Sequence, residues 1–80
     1  SNVAVGGYAL RYNTTASQNT ALGYSALTSN TTGANNTAVG KDAGLAVTTG
    51  SHNTFMGFLA GDSCTTGGTN IAIGYDQDTH

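Results

Sequence analysis

Hydrophobic and polar residues recur along this chain with a period of 17 residues. Five blocks begin with asparagine and end with glycine, and they read NVAVG, NTALG, NTAVG, NTFMG and NIAIG. Their first residues are Asn2, Asn19, Asn36, Asn53 and Asn70, and their last residues are Gly6, Gly23, Gly40, Gly57 and Gly74. A fixed period without insertions is typical of stacked structural repeats, each of which contacts only its neighbours.

Each block predicts a short β-strand, because its residues alternate and successive side chains on a strand point to opposite sides. One side carries the columns Val3, Thr20, Thr37, Thr54, Ile71 and Val5, Leu22, Val39, Met56, Ile73. The other side carries Ala4, Ala21, Ala38 and Ala72, with Phe55 as the exception. The glycine at the end of each block suits a sharp corner with positive φ, which glycine adopts readily.

Paired threonines form a second recurring element between the blocks. The pairs are Thr14 and Thr15, Thr31 and Thr32, Thr48 and Thr49, and Thr65 and Thr66. We expect a second short extended stretch at each pair, since β-branched residues favour strands. Helix is disfavoured, because glycine recurs every few residues and no apolar stripe with a 3.6-residue spacing runs through a repeat.

These patterns predict an all-β fold, a parallel β-solenoid of about five rungs that forms one domain over residues 1–80. Consecutive coils of such a fold pair as parallel strands about 4.7–4.9 Å apart, so five rungs would make a rod on the order of 20–25 Å long. Unpaired strands at the two ends are an aggregation hazard, so we expect this domain to be part of a longer fibre or an oligomer.

Charge and cysteine content narrow the possible functions. Charged residues make up 8% of the chain and the formal net charge is -2, so the basic surface that binds nucleic acid is missing. No apolar run is long enough to cross a membrane, and we expect no membrane insertion. One cysteine cannot form an internal disulfide framework, so backbone pairing and stacking must stabilise the fold.

Catalytic residues are scarce, and we expect neither an enzyme nor a bound cofactor or metal ion. His52 fits a turn exposed to solvent better than a catalytic base, and Cys64 fits a small filler of the coil. Asp76 and Asp78 resemble an acidic calcium-binding turn. However, the corresponding positions of the other repeats carry no such acidic pair, and a solvated chain end explains these two residues better.

An aromatic column follows the corner glycines and is a candidate binding surface. Tyr24, Phe58 and Tyr75 occupy equivalent positions in three repeats. Aromatic ridges can stack on sugar rings, which makes carbohydrate a possible partner. Shielding of the backbone and packing between chains are the alternative explanations of the same residues.

The threonine pairs raise a second possibility, an ice-binding solenoid. Regular arrays of hydroxyl and methyl groups resemble the ice-binding faces of antifreeze proteins, and low charge is compatible with that role. Adjacent residues of a strand, however, point to opposite faces. We therefore expect one threonine of each pair to point inward, which argues against two outward ranks.

The repeat resembles those of bacteriophage tail-fibre proteins, through its Asn-Thr-Ala-Val-Gly, Ala-Leu and Asn-Thr-Thr-Gly elements. It is similar, more loosely, to the heads of trimeric autotransporter adhesins. The resemblance implies a left-handed β-roll or β-helix that assembles as a homotrimer outside the cell, on a virion or a bacterial surface. It also implies that Val5, Leu22, Val39, Met56 and Ile73 fill the coil.

The alanine column is the expected contact between chains, because small residues in register let backbones approach closely. Its members are Ala4, Ala21, Ala38 and Ala72. The leading hypothesis is therefore a structural or adhesive fibre segment that binds copies of itself and cell-surface glycans. Ice binding through the threonine pairs is the alternative.

Overall fold

A computed structural model of the chain describes residues 1–61 and 66–76. These residues contain five strands, β1 (Val3–Val5), β2 (Thr20–Leu22), β3 (Thr37–Val39), β4 (Thr54–Met56) and β5 (Ile71–Ile73). All neighbours pair in parallel in the order β1-β2-β3-β4-β5, and each residue pairs with the residue 17 positions later. The predicted parallel β-solenoid is confirmed, and the molecule measures 26 × 23 × 15 Å.

The corner predicted after each strand is confirmed by the backbone. Gly6, Gly23, Gly40, Gly57 and Gly74 have φ between 117° and 134°. A Cβ atom on Gly40 would lie 2.8 Å from both the carbonyl carbon and the oxygen of Gly57 in the next coil. Glycine is therefore required at this position both by its φ angle and by the close approach of the next backbone.

The small side of each strand, and not the large one, faces the interior of the coil. Ala21 and Ala38 are 0% exposed and Ala72 is 2% exposed. Leu27 and Ala26, which lie in the turn after β2, are also fully buried and belong to the same core. The coil is narrow, so a methyl group is all that fits between the strand and the facing turn.

Two expectations about the sides of the strand are therefore wrong. Val5, Leu22, Val39, Met56 and Ile73 do not fill the coil, because they point outward and are exposed or half-buried. Ala4, Ala21, Ala38 and Ala72 do not form a surface between chains, because their column points into the core of their own chain. Ala4 lies on β1, the edge strand of the sheet, and is exposed.

Phe55 is the one large residue in the inward column, and it is fully buried. Two glycines make room for its ring: Gly44 and Gly61 stand where earlier turns have Leu10 and Leu27. A Cβ on Gly44 would lie 3.0 Å from the Phe55 ring, and one on Gly61 would overlap it. The interior volume is thus filled by an aromatic ring from the strand in place of leucines from the turns.

A ladder of buried asparagines runs along the stack, perpendicular to the strands. Asn19, Asn36 and Asn53 each accept the backbone N–H of the asparagine 17 residues later through Oδ1, at 2.9–3.0 Å. Their Nδ2 atoms donate to the carbonyls of Gly33, Gly50 and Gly67 at 2.8–2.9 Å. Each side chain therefore joins three segments of the coil and satisfies buried backbone groups that no strand pairs.

The threonine pairs form bends, and the prediction of a second strand-like stretch is wrong. Successive pairs still stack, since the backbone N–H of Thr14 donates to the Thr31 carbonyl and that of Thr31 donates to the Thr48 carbonyl. Within the described ranges, no helix is long and apolar enough to cross a membrane.

Candidate functional site

The strands present one flat surface to solvent, which we call the outer strand face. It consists of Val3, Val5, Thr20, Leu22, Thr37, Val39, Thr54, Met56, Ile71 and Ile73. Six of its aliphatic residues are between 44% and 63% exposed. None of its members is charged, so the face is a continuous apolar and hydroxyl-bearing strip along the whole stack.

Three threonines lie side by side at the centre of the outer strand face. Thr20, Thr37 and Thr54 pair in register on neighbouring strands and are half-buried. In the part of the chain that the structure describes, their hydroxyl groups make no hydrogen bond. These hydroxyls are therefore available to a ligand, to water or to another chain.

The threonine pairs proposed from the sequence are arranged differently. The hydroxyls of Thr14 and Thr31 donate to the backbone carbonyls of Thr31 and Thr48, at 3.1 and 3.2 Å. Thr48 is half-buried, whereas Thr15, Thr32, Thr49 and Thr66 are exposed, and Thr65 lies outside the described residues. No described pair has a fully inward member, because these residues lie in bends where the alternation of a strand does not apply.

The predicted aromatic column forms a ladder with a cation inserted into it. Lys41 lies between two of the aromatic residues, with its Nζ 5.7 Å from the centre of the Tyr24 ring and 5.2 Å from that of Phe58. Phe58 then stacks on Tyr75, with ring centres 5.3 Å apart and an interplanar angle of 17°. Lys41 Nζ also lies 2.9 Å from Asp42 Oδ2.

The side chains of this ladder contact one another from rung to rung. The Phe58 ring contacts Lys41 and stacks on Tyr75. The Tyr24 ring contacts Lys41 and also meets the Tyr8 ring edge to face, with ring centres 5.4 Å apart. A sugar that stacks on an aromatic residue needs an open face. Packing between rungs accounts for these contacts, and carbohydrate binding by Tyr24, Phe58 and Tyr75 stays a prediction.

A second aromatic group, at the first turn, was not singled out from the sequence as a site. Arg11 lies over two rings, with its Cζ 4.6 Å from the centre of the Tyr8 ring and 5.1 Å from that of Tyr12. Both tyrosines are about half exposed, at 51% and 53%. The spacing Tyr-x-x-Arg-Tyr was the available signal, since it places the cation next to one ring and three residues from the other.

Residues with catalytic or metal-binding potential are dispersed. Within residues 1–61 and 66–76, no three His, Cys, Asp or Glu side chains are close enough to hold a metal ion. His52 and Asp76 are exposed turn residues with φ of 63° and 54°. Cys64 and Asp78 lie outside the described residues.

Comparison with known proteins found no matching family model, no similar curated protein and no similar solved structure. The likeness to fibre and adhesin repeats therefore depends on the repeat residues alone.

Proposed function

We propose that the chain is a non-enzymatic segment of a structural or adhesive fibre, which assembles with copies of itself through the outer strand face. The exposed apolar strip on that face is the observation that supports this role. Apolar patches that extend continuously over a small protein mark sites of protein contact. The fibre would stand outside the cell, on a virion or bacterial surface, as the repeat resemblance implies.

A second copy of the chain is the partner that this face fits best. The face carries no charge that would select an oppositely charged protein. Its in-register strands offer the same aliphatic ranks at every rung, so two such faces can interdigitate along their length. A domain of this size buries only about 60% of the surface of its unfolded chain, and burial of this strip between copies would add to its stability.

A homotrimer around a central axis is the assembly that we propose. The aliphatic column of Leu22, Val39 and Met56 takes the place of the alanine column as the contact between chains. The proposed oligomer is still a trimer, but the residues at its interface are the large aliphatic ones and not the alanines.

Sedimentation equilibrium at micromolar concentration tests the proposal. We expect the wild-type protein to sediment at about three times the monomer mass of 8.0 kDa, because three chains bury their aliphatic strips together. The double variant Leu22→Glu/Met56→Glu should sediment as a folded monomer, since both side chains project outward and carboxylates are costly to bury in an apolar contact.

The matched control is Thr15→Glu/Thr32→Glu, which adds the same charge on exposed bend residues away from the strands. This control should remain trimeric. A wild-type monomer whose melting temperature does not depend on concentration would contradict self-assembly.

Ice binding is a second candidate, favoured by the threonines of the outer strand face. We assign this candidate role to Thr20, Thr37 and Thr54 in place of the threonine pairs, because the Thr14 and Thr31 hydroxyls donate to backbone carbonyls. These three side chains repeat at the spacing of parallel strands, about 4.8 Å. Their regular methyl and hydroxyl groups on a flat uncharged face are the features that an ice surface requires.

Thermal hysteresis separates the two candidates, because the same face cannot be buried between chains and also contact ice. If the fibre proposal is correct, the wild-type protein should show no hysteresis and no shaping of ice crystals. Hysteresis that Thr37→Lys abolishes and the bend variant Thr32→Lys retains would favour ice binding instead.

A further inference from the structure

We propose that Tyr8, Arg11 and Tyr12 form a shallow binding site for a sugar ring that carries a carboxylate. This site, which we call the first-turn cluster, gives the adhesive role a ligand class and therefore builds on the proposed function. It lies in the turn after β1, whereas the outer strand face lies on the strands. Ligand binding and self-assembly can therefore be tested separately.

The guanidinium group of Arg11 is held in position by two aromatic rings. It lies over both Tyr8 and Tyr12, at 4.6 and 5.1 Å from their ring centres. Such contacts restrict a side chain that is otherwise flexible, and they leave the N–H groups at the edge of the guanidinium plane free to donate. A carboxylate accepts two of these N–H groups in parallel, which is the strongest arrangement for this pair.

No acidic group among the described residues neutralises Arg11, which separates it from the other basic side chain, Lys41. Lys41 pairs with Asp42 at 2.9 Å. Arg11 has no ion pair or hydrogen bond from its side chain to any other described residue. An anionic ligand is therefore attracted to the first-turn cluster and not to the aromatic ladder, even though both contain a cation beside aromatic rings.

The tyrosines supply the surface for the sugar ring. Apart from Arg11, no ring or cation contacts the Tyr12 ring among the described residues, and the side chain is 53% exposed. An open aromatic face packs against the C–H groups of a sugar, and the phenol hydroxyl can bond to its hydroxyl groups. Tyr8 is braced by the edge-to-face contact with Tyr24 at 5.4 Å, so the site rests on the packed ladder.

The surroundings favour a glycan over a peptide or nucleic acid. The described residues enclose no cavity that could take the apolar anchor on which peptide binding usually depends. A single unpaired arginine is also too little charge for a phosphate backbone, since non-specific binding of nucleic acid depends on many such contacts. A flat aromatic surface with one cation matches an acidic sugar.

Titration with small sugars, followed by tyrosine ring signals in NMR, tests the proposal. We expect glucuronate to shift the signals of Tyr8 and Tyr12 in a saturable way, with a dissociation constant on the order of 1 mM, as for a shallow site. Glucose and acetate, which carry only the ring or only the carboxylate, should each bind at least about tenfold more weakly.

Variants identify the groups responsible. Arg11→Gln should weaken glucuronate binding at least about tenfold, and Arg11→Lys should recover only part of the loss, because lysine lacks the planar fork. Tyr12→Ala should reduce binding of glucuronate but leave that of acetate unchanged. Lys41→Gln is the matched control, and it should bind glucuronate as the wild type does because Asp42 already neutralises Lys41.

The proposal is overturned if Arg11→Gln binds glucuronate as tightly as the wild type, or if glucose or acetate binds as tightly as glucuronate. Binding that persists in the Leu22→Glu/Met56→Glu variant supports the site independently of self-assembly. A wild-type protein that is monomeric but binds glucuronate would contradict the fibre assembly and keep this site.

Discussion

The second coil and the two that follow it have the same backbone but fill their interiors differently. In residues 19–35 the core has Ala21 on the strand, Leu27 in the turn and the buried Asn30. In residues 36–61 the turns have Gly44 and Gly61, Phe55 occupies the strand, and Val47 stands in the column of Asn30. Neighbouring coils of this solenoid therefore fill their interiors with different combinations of residues and do not keep the same residue at each position.

The asparagines show the same contrast on a smaller scale. Asn36 uses both its oxygen and its nitrogen, on the Asn53 N–H and the Gly50 carbonyl. Asn30 uses its nitrogen on the Gly33 carbonyl at 2.9 Å, but its oxygen is buried without a partner among the described residues. The missing donor is explained by Val47, which replaces asparagine in the next coil.

Of the substitutions that test this comparison, Phe55→Ala should lower the free energy of unfolding most. The change makes the fourth strand like the second while the turns still lack leucine, so a cavity remains and the free energy of unfolding should fall by about 3–5 kcal/mol. Chemical denaturation followed by circular dichroism measures it.

The matched control is Phe58→Ala, on an exposed ring, which should cost less than about 1.5 kcal/mol. The triple variant Phe55→Ala/Gly44→Leu/Gly61→Leu restores the pattern of the second coil and should recover most of the loss. Gly44 and Gly61 have φ of 63° and 69°, close to the 52° of Leu27, so leucine fits the backbone there. A triple variant less stable than Phe55→Ala would contradict the idea that the Phe55 ring takes the space that turn leucines fill in the second coil.

Replacing Asn36 with alanine should have the next largest effect. It leaves the Asn53 N–H and the Gly50 carbonyl buried without partners, and each such group costs about 1–3 kcal/mol, so we expect a loss of about 2–4 kcal/mol. Thermal and denaturant melts measure the loss. A change below about 0.5 kcal/mol would show that the ladder does not contribute to stability.

Replacing Asn30 with valine should have the smallest effect on stability, and the change can be a gain where Asn36→Ala gives a loss. The Gly33 carbonyl keeps the Nδ2 donor of Asn19 at 2.9 Å, while the unpaired oxygen is removed. Loss of a buried unsatisfied acceptor offsets loss of the two hydrogen bonds that Asn30 Nδ2 donates, to the Gly33 carbonyl and, at 3.4 Å, to Asn13 Oδ1, so stability should change by less than about 1 kcal/mol or rise. The same melts compare Asn30→Val directly with Asn36→Ala. Equal losses of stability in the two variants would contradict the inference that Asn36 stabilises the fold more than Asn30 does.

The repeat period and the columns of equivalent residues were enough to predict the architecture. Because each coil must stack on the next, residues 17 positions apart must be equivalent, and a glycine column marks the corner where a side chain would meet the next backbone. The strand in each block, the parallel pairing and the positive φ of the corner glycines were accessible from these patterns alone, whereas the second extended stretch expected at each threonine pair was wrong.

Alternation within a strand could not decide which side faces inward. It shows that Val3 and Val5 lie on the side opposite Ala4. The same alternation results whether the valines or the alanine face the interior. The width of the coil decided it, because Leu10 and Leu27 from the first two turns fill the interior there and leave room only for a methyl group on the strand. The large aliphatic residues are consequently outside, which moved the proposed contact between chains from Ala21 to Leu22.

Tertiary structure also decided which polar and aromatic groups remain available. The sequence determines that threonines and tyrosines recur in columns, but hydrogen bonds and ring contacts depend on three-dimensional distances between coils. Those distances engage the Thr31 hydroxyl and the Phe58 ring. Within residues 1–61 and 66–76, in contrast, the Thr37 hydroxyl and the Arg11 guanidinium have no hydrogen-bond or ion-pair partner. Composition and period thus determined the stack, and packing between its coils determined the surface that it offers to a partner.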